Sequence, residues 1–301
     1  MNTFGEDLKS FLEKNPYKVA DIGGIKYRYI LTGVSNHTAI VAFSGLEMQE
    51  MWIKYAEDLS DEYGFLITEY PRELKTNKEQ AKCLHSLLKK LGIEKPVLCG
   101  ASDGGVHAQF YAREYPDDIS GLILMTTVSL NSEYVRKARK AADAMSLLDF
   151  KIRHTKYEKI RKKLVGIAEE YMNDETDEEK AYGHTFFETV TVPESYRDRY
   201  LHSMLLLKDM LGEKDFTVKD FDKLDGKVLL LHPEKDIFSK NDQEALTGLF
   251  SRPEVHTMKG GHIAFVIRSP EYIAIIREFL KRLPQTVLCT QTKAVEKTAC
   301  K

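Results

Sequence analysis

The sequence has few of the features that mark metal-binding, membrane or nucleic-acid-binding proteins. Its 301 residues include four cysteines, with no CxxC pair and no metal-ligand spacing. No run approaches the roughly 18 consecutive apolar residues of a membrane span, and residues 1–30 lack the apolar core of a secretory signal. The net charge of −2 provides no basic surface for nucleic acid. We therefore expect a cytoplasmic protein with reduced thiols, no nucleic-acid partner, no metal and no organic cofactor.

Short apolar segments alternate with helical patterns along much of the chain. The segment GIKYRYIL alternates apolar and charged residues, which predicts an early antiparallel strand. Continuous apolar runs such as TAIVAFSG and GFLITEYP are typical of strands buried on both faces, and PVLCG, ISGLILMTTVS, GKVLLLHPEKD and PEVHTMKGGH continue the series. Together they predict an α/β fold with a mostly parallel central sheet and helices on both faces.

One long region interrupts this alternation. Residues 132–216 have the pattern of consecutive helices with no strand signal, and we expect the acidic run NDETDEEK within it to be a solvated helix face. The predicted organisation is therefore a core domain of residues 1–131 and 217–284 that carries a helical insertion at 132–216. Residues 285–301 have weak patterning and are predicted to form a loosely held tail.

The segment VLCGASDGG places Ser102 two residues from a glycine on each side. An apolar strand, G-x-S-x-G and then a helix form a nucleophile elbow, in which the serine occupies a strained turn. Gly100 and Gly104 would remove Cβ atoms that clash there. The Asp103 N–H would face a developing oxyanion at the helix N-terminus, and its carboxylate would complement the helix dipole. The G-x-G-x-x-G spacing of a dinucleotide site is absent.

With GASDGG in the place of the elbow, the chain resembles the α/β-hydrolase superfamily, except in the tail and in the sequence detail of the insertion. The resemblance implies the order nucleophile, acid, histidine. His262 in MKGGHIAF matches the histidine, and Asp236 at the end of VLLLHPEKD matches the acid, with Glu234 as the alternative. It further implies that Ser102 attacks, that His262 transfers protons, and that Asp236 orients the imidazole. The insertion would be the helical cap above the pocket.

The resemblance also indicates a second oxyanion donor in the loop AFSGLEMQEMW, where the Leu46 N–H is the matching group. The loop departs from the family's frequent His-Gly dipeptide, because Ser44 and Gly45 stand there. Glu47 is an unusual neighbour for an oxyanion site, and we expect it to face solvent.

The implied activity is that of a serine hydrolase. It would cleave a small or medium ester-like substrate, such as a carboxylic ester, lactone or thioester, through an acyl-enzyme. Relatives with the same triad cleave carbon–carbon bonds, and a shifted frame would make Asp103 the nucleophile, with Ala101 and Gly105 at the small positions. A non-catalytic binding or scaffold protein of the maspardin-like kind and a slow ligand-sensing hydrolase are further alternatives. The oligomeric state stays open.

Overall fold

An eight-stranded sheet forms the centre of the fold. The computed structural model describes residues 3–33, 38–142, 150–172 and 175–284. The strands are β1 (Lys18–Ile22), β2 (Ile25–Thr32), β3 (Ala39–Phe43), β4 (Gly64–Thr68), β5 (Val97–Ala101), β6 (Gly121–Met125), β7 (Val228–Lys235) and β8 (Glu254–Gly261). Their order is β1-β2-β4-β3-β5-β6-β7-β8. Only β2 is antiparallel to its neighbours, and the pairs from β4 to β8 are parallel.

The central strands are buried on both faces. Every residue of β3, β4, β5 and β6 is buried. In β3, Ile40 and Ala42 contribute to one apolar cluster, whereas Val41 and Phe43 contribute to the other. This alternation follows from the two-residue period of a strand, and burial on both sides explains why these segments are continuous apolar runs. The prediction of a mostly parallel sheet covered on both faces is confirmed.

Helices supply the outer layers. They are α1 (Phe4–Lys14), α2 (Ile53–Asp58), α3 (Asn77–Leu91), α4 (Asp103–Glu114), α5 (Glu133–Lys140), α6 (Tyr157–Glu170), α7 (Asp177–Thr191), α8 (Tyr196–Leu211), α9 (Lys240–Thr247), α10 (Ala264–Ile267) and α11 (Ser269–Arg282). Residues of α2 and α11 belong to one apolar cluster, and residues of α3, α4 and α9 belong to the other. The two clusters are therefore the two sides of the layered core.

The N-terminal helix and first strand were not anticipated. Helix α1 begins with a capping box, in which Thr3 and Glu6 each bond the other's backbone N–H. Phe4 packs edge-on against Phe186 of α7, with ring centroids 4.9 Å apart. Helix α1 therefore joins the helical insertion to the core.

Between β6 and β7, the described residues form helices and turns without a strand. Helix α8 packs against the loop that follows β3, and Tyr171 contacts His262 in the loop that follows β8. The insertion therefore lies over the carboxyl ends of the parallel strands. Its predicted boundaries at 132–216 stay predictions, and the predicted tail at 285–301 lies outside the described residues.

In the described part of the chain, no helix has the length and hydropathy to cross a membrane.

Candidate active site

Ser102 lies at the sharp turn from β5 into α4. Its backbone has φ 56° and ψ −132°, a conformation that costs free energy for any residue with a side chain. Two contacts from the end of β6 hold it there: the Ser102 N–H donates to the Met125 carbonyl at 3.2 Å, and the Thr127 hydroxyl donates to the Ser102 carbonyl at 2.5 Å. The strained turn is thus stabilised by the neighbouring strand.

The glycines around Ser102 are required by close backbone contacts. A Cβ at Gly100 would lie 2.7 Å from the Gly104 carbonyl oxygen, and one at Gly104 would lie 2.3 Å from the Phe43 carbonyl oxygen. A Cβ at Gly105, which was named above only for the shifted frame with Asp103 as nucleophile, would lie 2.5 Å from Thr127 Oγ1. The turn therefore excludes side chains at three positions, and Gly104 is needed because α4 begins against the end of β3.

The structure brings Ser102, His262 and Asp236 together. His262 Nε2 lies 3.1 Å from Ser102 Oγ, and His262 Nδ1 lies 2.7 Å from Asp236 Oδ1. The His262 and Asp236 side chains are 7% and 1% exposed. A proton on Nδ1 would be held by the carboxylate, which leaves Nε2 free to accept the serine proton. Glu234, the alternative acid, is exposed.

Aromatic rings surround the imidazole. Tyr171 from the insertion and Phe238 from the segment after β7 both contact His262 edge-on, with centroid distances of 5.1 and 5.4 Å. They limit the motion of the ring and provide apolar surface beside His262. Sequence reasoning missed Tyr171, because local sequence does not indicate which distant loop a residue in the turn after α6 will contact.

A buried carboxylate anchors the loop that carries His262. Glu175 Oε1 accepts the Gly261 N–H at 3.0 Å, and Glu175 Oε2 lies 2.9 Å from Arg268 Nη2. The Glu175 and Arg268 side chains are 1% and 9% exposed. Glu175 belongs to the acidic run that we expected to be solvated, and for this residue that expectation is wrong. It is buried because Arg268 and the loop N–H satisfy its charge.

The loop after β3 has an unusual backbone. Leu46 and Glu47 have φ values of 47° and 53°, so two consecutive residues with side chains are left-handed. The Leu46 N–H, the predicted second oxyanion donor, donates to Asp103 Oδ1 at 3.0 Å and to Oδ2 at 3.2 Å. The Asp103 side chain therefore folds back over the start of its own helix toward this loop.

The environment of Asp103 perturbs its carboxyl group. The residue is half-buried, and desolvation by the surrounding protein raises the pKa of its carboxyl from 3.8 to about 6. Hydrogen bonds from the Leu46 N–H and from its own N–H oppose the rise, as does the nearby His262, whereas the charge of Glu47 adds to it. A carboxyl with such a pKa changes charge near neutral pH.

Glu47 is buried, so the expectation that it faces solvent is wrong. Its side chain is 3% exposed and forms an ion pair with Arg72. Its Oε1 lies 2.5 Å from His202 Nδ1, and His202 Nε2 lies 2.7 Å from the Leu74 carbonyl oxygen. Glu47 is thus held by Arg72 from the segment after β4 and by His202 of α8.

Helix α8 also holds the backbone of this loop. The Tyr196 hydroxyl donates to the Leu46 carbonyl at 3.0 Å. Arg199 Nε donates to the Glu47 carbonyl at 2.9 Å, and its guanidinium pairs with Glu50 at 2.7 Å. The conformation that directs the Leu46 N–H toward Asp103 therefore depends on the insertion.

In the described ranges, no three His, Cys, Asp or Glu side chains are grouped so as to hold a metal ion.

Comparisons with known proteins agree with this architecture. A family model described as the alpha/beta hydrolase fold matches residues 54–268. A search of curated protein sequences found no significant match.

Solved structures superpose over most of the chain. An enol-lactonase from Burkholderia xenovorans LB400 is 16% identical with a TM-score of 0.68, over 88% of this chain and 100% of that one. A thermophilic esterase from Thermogutta terrifontis is 19% identical with a TM-score of 0.66, over 89% and 98%. Naproxen esterase from Bacillus subtilis is 15% identical with a TM-score of 0.61, over 92% and 96%. At these identities the likeness is one of fold, and the family model spans more than half of the sequence. The protein therefore belongs to the α/β-hydrolase fold family.

Proposed function

We propose that this protein is a serine hydrolase that cleaves a small or medium ester-like substrate through an acyl-enzyme. The observation that carries the proposal is the hydrogen-bonded chain from Ser102 Oγ to His262 Nε2, at 3.1 Å, and from His262 Nδ1 to Asp236 Oδ1, at 2.7 Å. The imidazole is bonded to Ser102, which favours the serine rather than Asp103 as the nucleophile.

The reaction follows from these contacts. Ser102 Oγ attacks the carbonyl carbon as His262 Nε2 accepts the hydroxyl proton, and Asp236 stabilises the imidazolium that forms. The imidazolium then gives its proton to the leaving alcohol or thiol, and an acyl-serine remains. Water attacks the acyl-serine with His262 as the base, which releases the acid and restores Ser102. General base catalysis of this kind contributes roughly 10²–10⁴-fold in rate.

A carboxylic ester, lactone or thioester of modest size is the substrate class we favour. The edges of Tyr171 and Phe238 beside His262 provide apolar surface for it. The fold likeness to the enol-lactonase and the two esterases named above supports the same class. The thiols of Cys83 and Cys99 are free, which supports a reducing, cytoplasmic setting.

A non-catalytic binding protein is the second candidate, and one observation favours it. The Leu46 N–H is directed at the Asp103 carboxylate, whereas an esterase needs that donor for the substrate oxygen. A protein that binds ligands without turnover does not need the Leu46 N–H for a substrate oxygen, so this N–H could stay bonded to Asp103.

Turnover separates the two candidates. The full-length protein would be assayed with p-nitrophenyl esters, a γ-lactone and an acyl thioester between pH 5 and pH 8. Ser102→Ala should keep its melting temperature and lose at least about 10³-fold in kcat/KM. Ser86→Ala, which removes an exposed hydroxyl on α3, should match the wild type. Hydrolysis by Ser102→Ala within a few-fold of the wild type would contradict the proposal, and a folded wild type that is inert throughout would favour the binding protein.

A further inference from the structure

The Asp103 carboxyl group is hydrogen-bonded to the Leu46 N–H, the predicted second oxyanion donor. Both of its oxygens are within hydrogen-bonding distance of the Leu46 N–H, at 3.0 and 3.2 Å. A methyl group added at Gly45 would come within 2.9 Å of both Asp103 Oδ1 and Ser102 Cβ. The carboxyl group and the nucleophile therefore border the same small space above Gly45.

An ionised carboxylate in this space opposes acyl transfer in two ways. It takes the Leu46 N–H as its own donor, so the carbonyl oxygen of the substrate loses that partner. It also places a negative charge beside the oxygen on which negative charge develops during attack, and this repulsion is strong where water is excluded.

The groups around Asp103 do not neutralise it. His262 and Glu47 act on its carboxyl in opposite directions, and Glu47 is itself paired with the Arg72 guanidinium.

Four phenols complete these surroundings, and burial raises the pKa of each, so they stay neutral: Tyr70 after β4, Tyr134 on α5, and Tyr196 and Tyr200 on α8. Asp236 faces the opposite nitrogen of His262. A proton on Asp103 itself is therefore the simplest way to remove the charge.

We propose that the neutral Asp103 carboxyl group is an oxyanion donor of this hydrolase and that its ionised form blocks attack by Ser102. In the neutral form one oxygen accepts the Leu46 N–H, and the O–H on the other donates to the carbonyl oxygen of the substrate. The electron pair of the carbonyl moves to that oxygen, the Ser102 proton goes to His262, and the Asp103 proton stays in place. The inference rests on the proposed function of Ser102.

The pH dependence follows from the raised pKa of Asp103, which lies at about 6. Above that pH the neutral fraction falls tenfold per unit and is roughly 1% at pH 8. Below it the carboxyl is neutral and the block is absent.

The test compares kcat/KM of wild type, Asp103→Asn and Asp103→Leu from pH 5 to pH 8 on one activated ester. Asn keeps an oxygen for the Leu46 N–H and an N–H for the substrate, without charge. The ratio of Asp103→Asn to wild type should be near constant below pH 5.5 and rise to between about 10-fold and 100-fold at pH 8. Asp103→Leu, which has no donor, should be roughly 10²-fold slower than Asp103→Asn. Asp222→Asn, at an exposed position, should match wild type throughout.

The outcomes separate this inference from the function on which it rests. A ratio that does not change with pH, or an Asp103→Leu variant as fast as Asp103→Asn, would overturn the donor role while wild-type turnover still supported the hydrolase. If the folded wild type and both variants were inert at every pH, the proposed function itself would fail. Thermal unfolding of each variant ensures that only folded proteins are compared.

Discussion

Removal of the Glu175 carboxylate should loosen the loop that presents His262. Glu175 accepts the Gly261 N–H at 3.0 Å and pairs with Arg268 at 2.9 Å, and both side chains are buried. In Glu175→Ala the Gly261 N–H loses its acceptor, which costs about 1–3 kcal/mol. Arg268 keeps Glu179 as a partner at 2.6 Å, so the loss of one carboxylate adds a further 1–2 kcal/mol or so.

The expected loss is therefore about 2–5 kcal/mol, or a fall in melting temperature of roughly 5–15 °C. Glu175→Gln keeps an oxygen for the Gly261 N–H and should lose less than half as much. Because the loop positions the imidazole, kcat on an activated ester should fall at least about 10-fold in Glu175→Ala. Calorimetry and steady-state kinetics measure the two effects.

Leu88→Ala provides the control. Leu88 is buried in α3, in the apolar cluster that does not contain the His262 loop, and its truncation costs about 2–5 kcal/mol. This variant should be destabilised to a similar degree and keep the kcat of the wild type at a temperature where it is folded. If Glu175→Ala kept wild-type kcat, or if Leu88→Ala lost as much kcat, the positioning role of Glu175 would be refuted.

Two further predictions concern carboxylates of the site. Asp236→Asn should remain folded and lose roughly 10³–10⁴-fold in kcat, because an amide does not stabilise the imidazolium. The control variant Glu234→Gln should match wild type. Equal losses of kcat in the two variants would contradict the assignment of Asp236 as the acid of the triad. Asp103→Asn should stabilise the fold by up to about 3 kcal/mol at pH 8. The pKa of Asp103 is about 6 in the folded protein and 3.8 ordinarily, so between about pH 4 and pH 6 the folded state binds the proton more tightly than the unfolded state. The free energy of unfolding of the wild type therefore falls over this range, and the loss is constant at higher pH. Urea unfolding at pH 4 and pH 8 measures it, and a difference that did not grow with pH would contradict the shift.

The central sheet and the elbow could be predicted because local sequence encodes them. A strand buried on both faces needs a continuous apolar run, as in β3 to β6. The elbow needs small residues within two positions of Ser102, since a Cβ at Gly100 or Gly104 would meet backbone atoms. Strand β1 was missed because its residues are mostly exposed and lack an apolar run.

Long-range contacts account for what could not be predicted at the site. The residues that shape it lie far apart in sequence: Glu175 meets Gly261, Arg199 meets the Glu47 carbonyl, and Leu46 meets Asp103. Periodicity tells which residues share a helix face but not which loop that face will meet. From sequence alone, a charged residue such as Glu175 is therefore predicted to be exposed, because the partner that allows its burial is not known.

The most direct test of the account is covalent labelling of the folded wild type with a fluorophosphonate probe, followed by digestion and mass spectrometry. We predict a single phosphonyl adduct on the peptide that contains Ser102, formed at a rate that falls at least about 10²-fold in His262→Ala. An adduct on another side chain, or equal labelling of wild type and His262→Ala, would contradict the assignment of Ser102 as a nucleophile activated by His262.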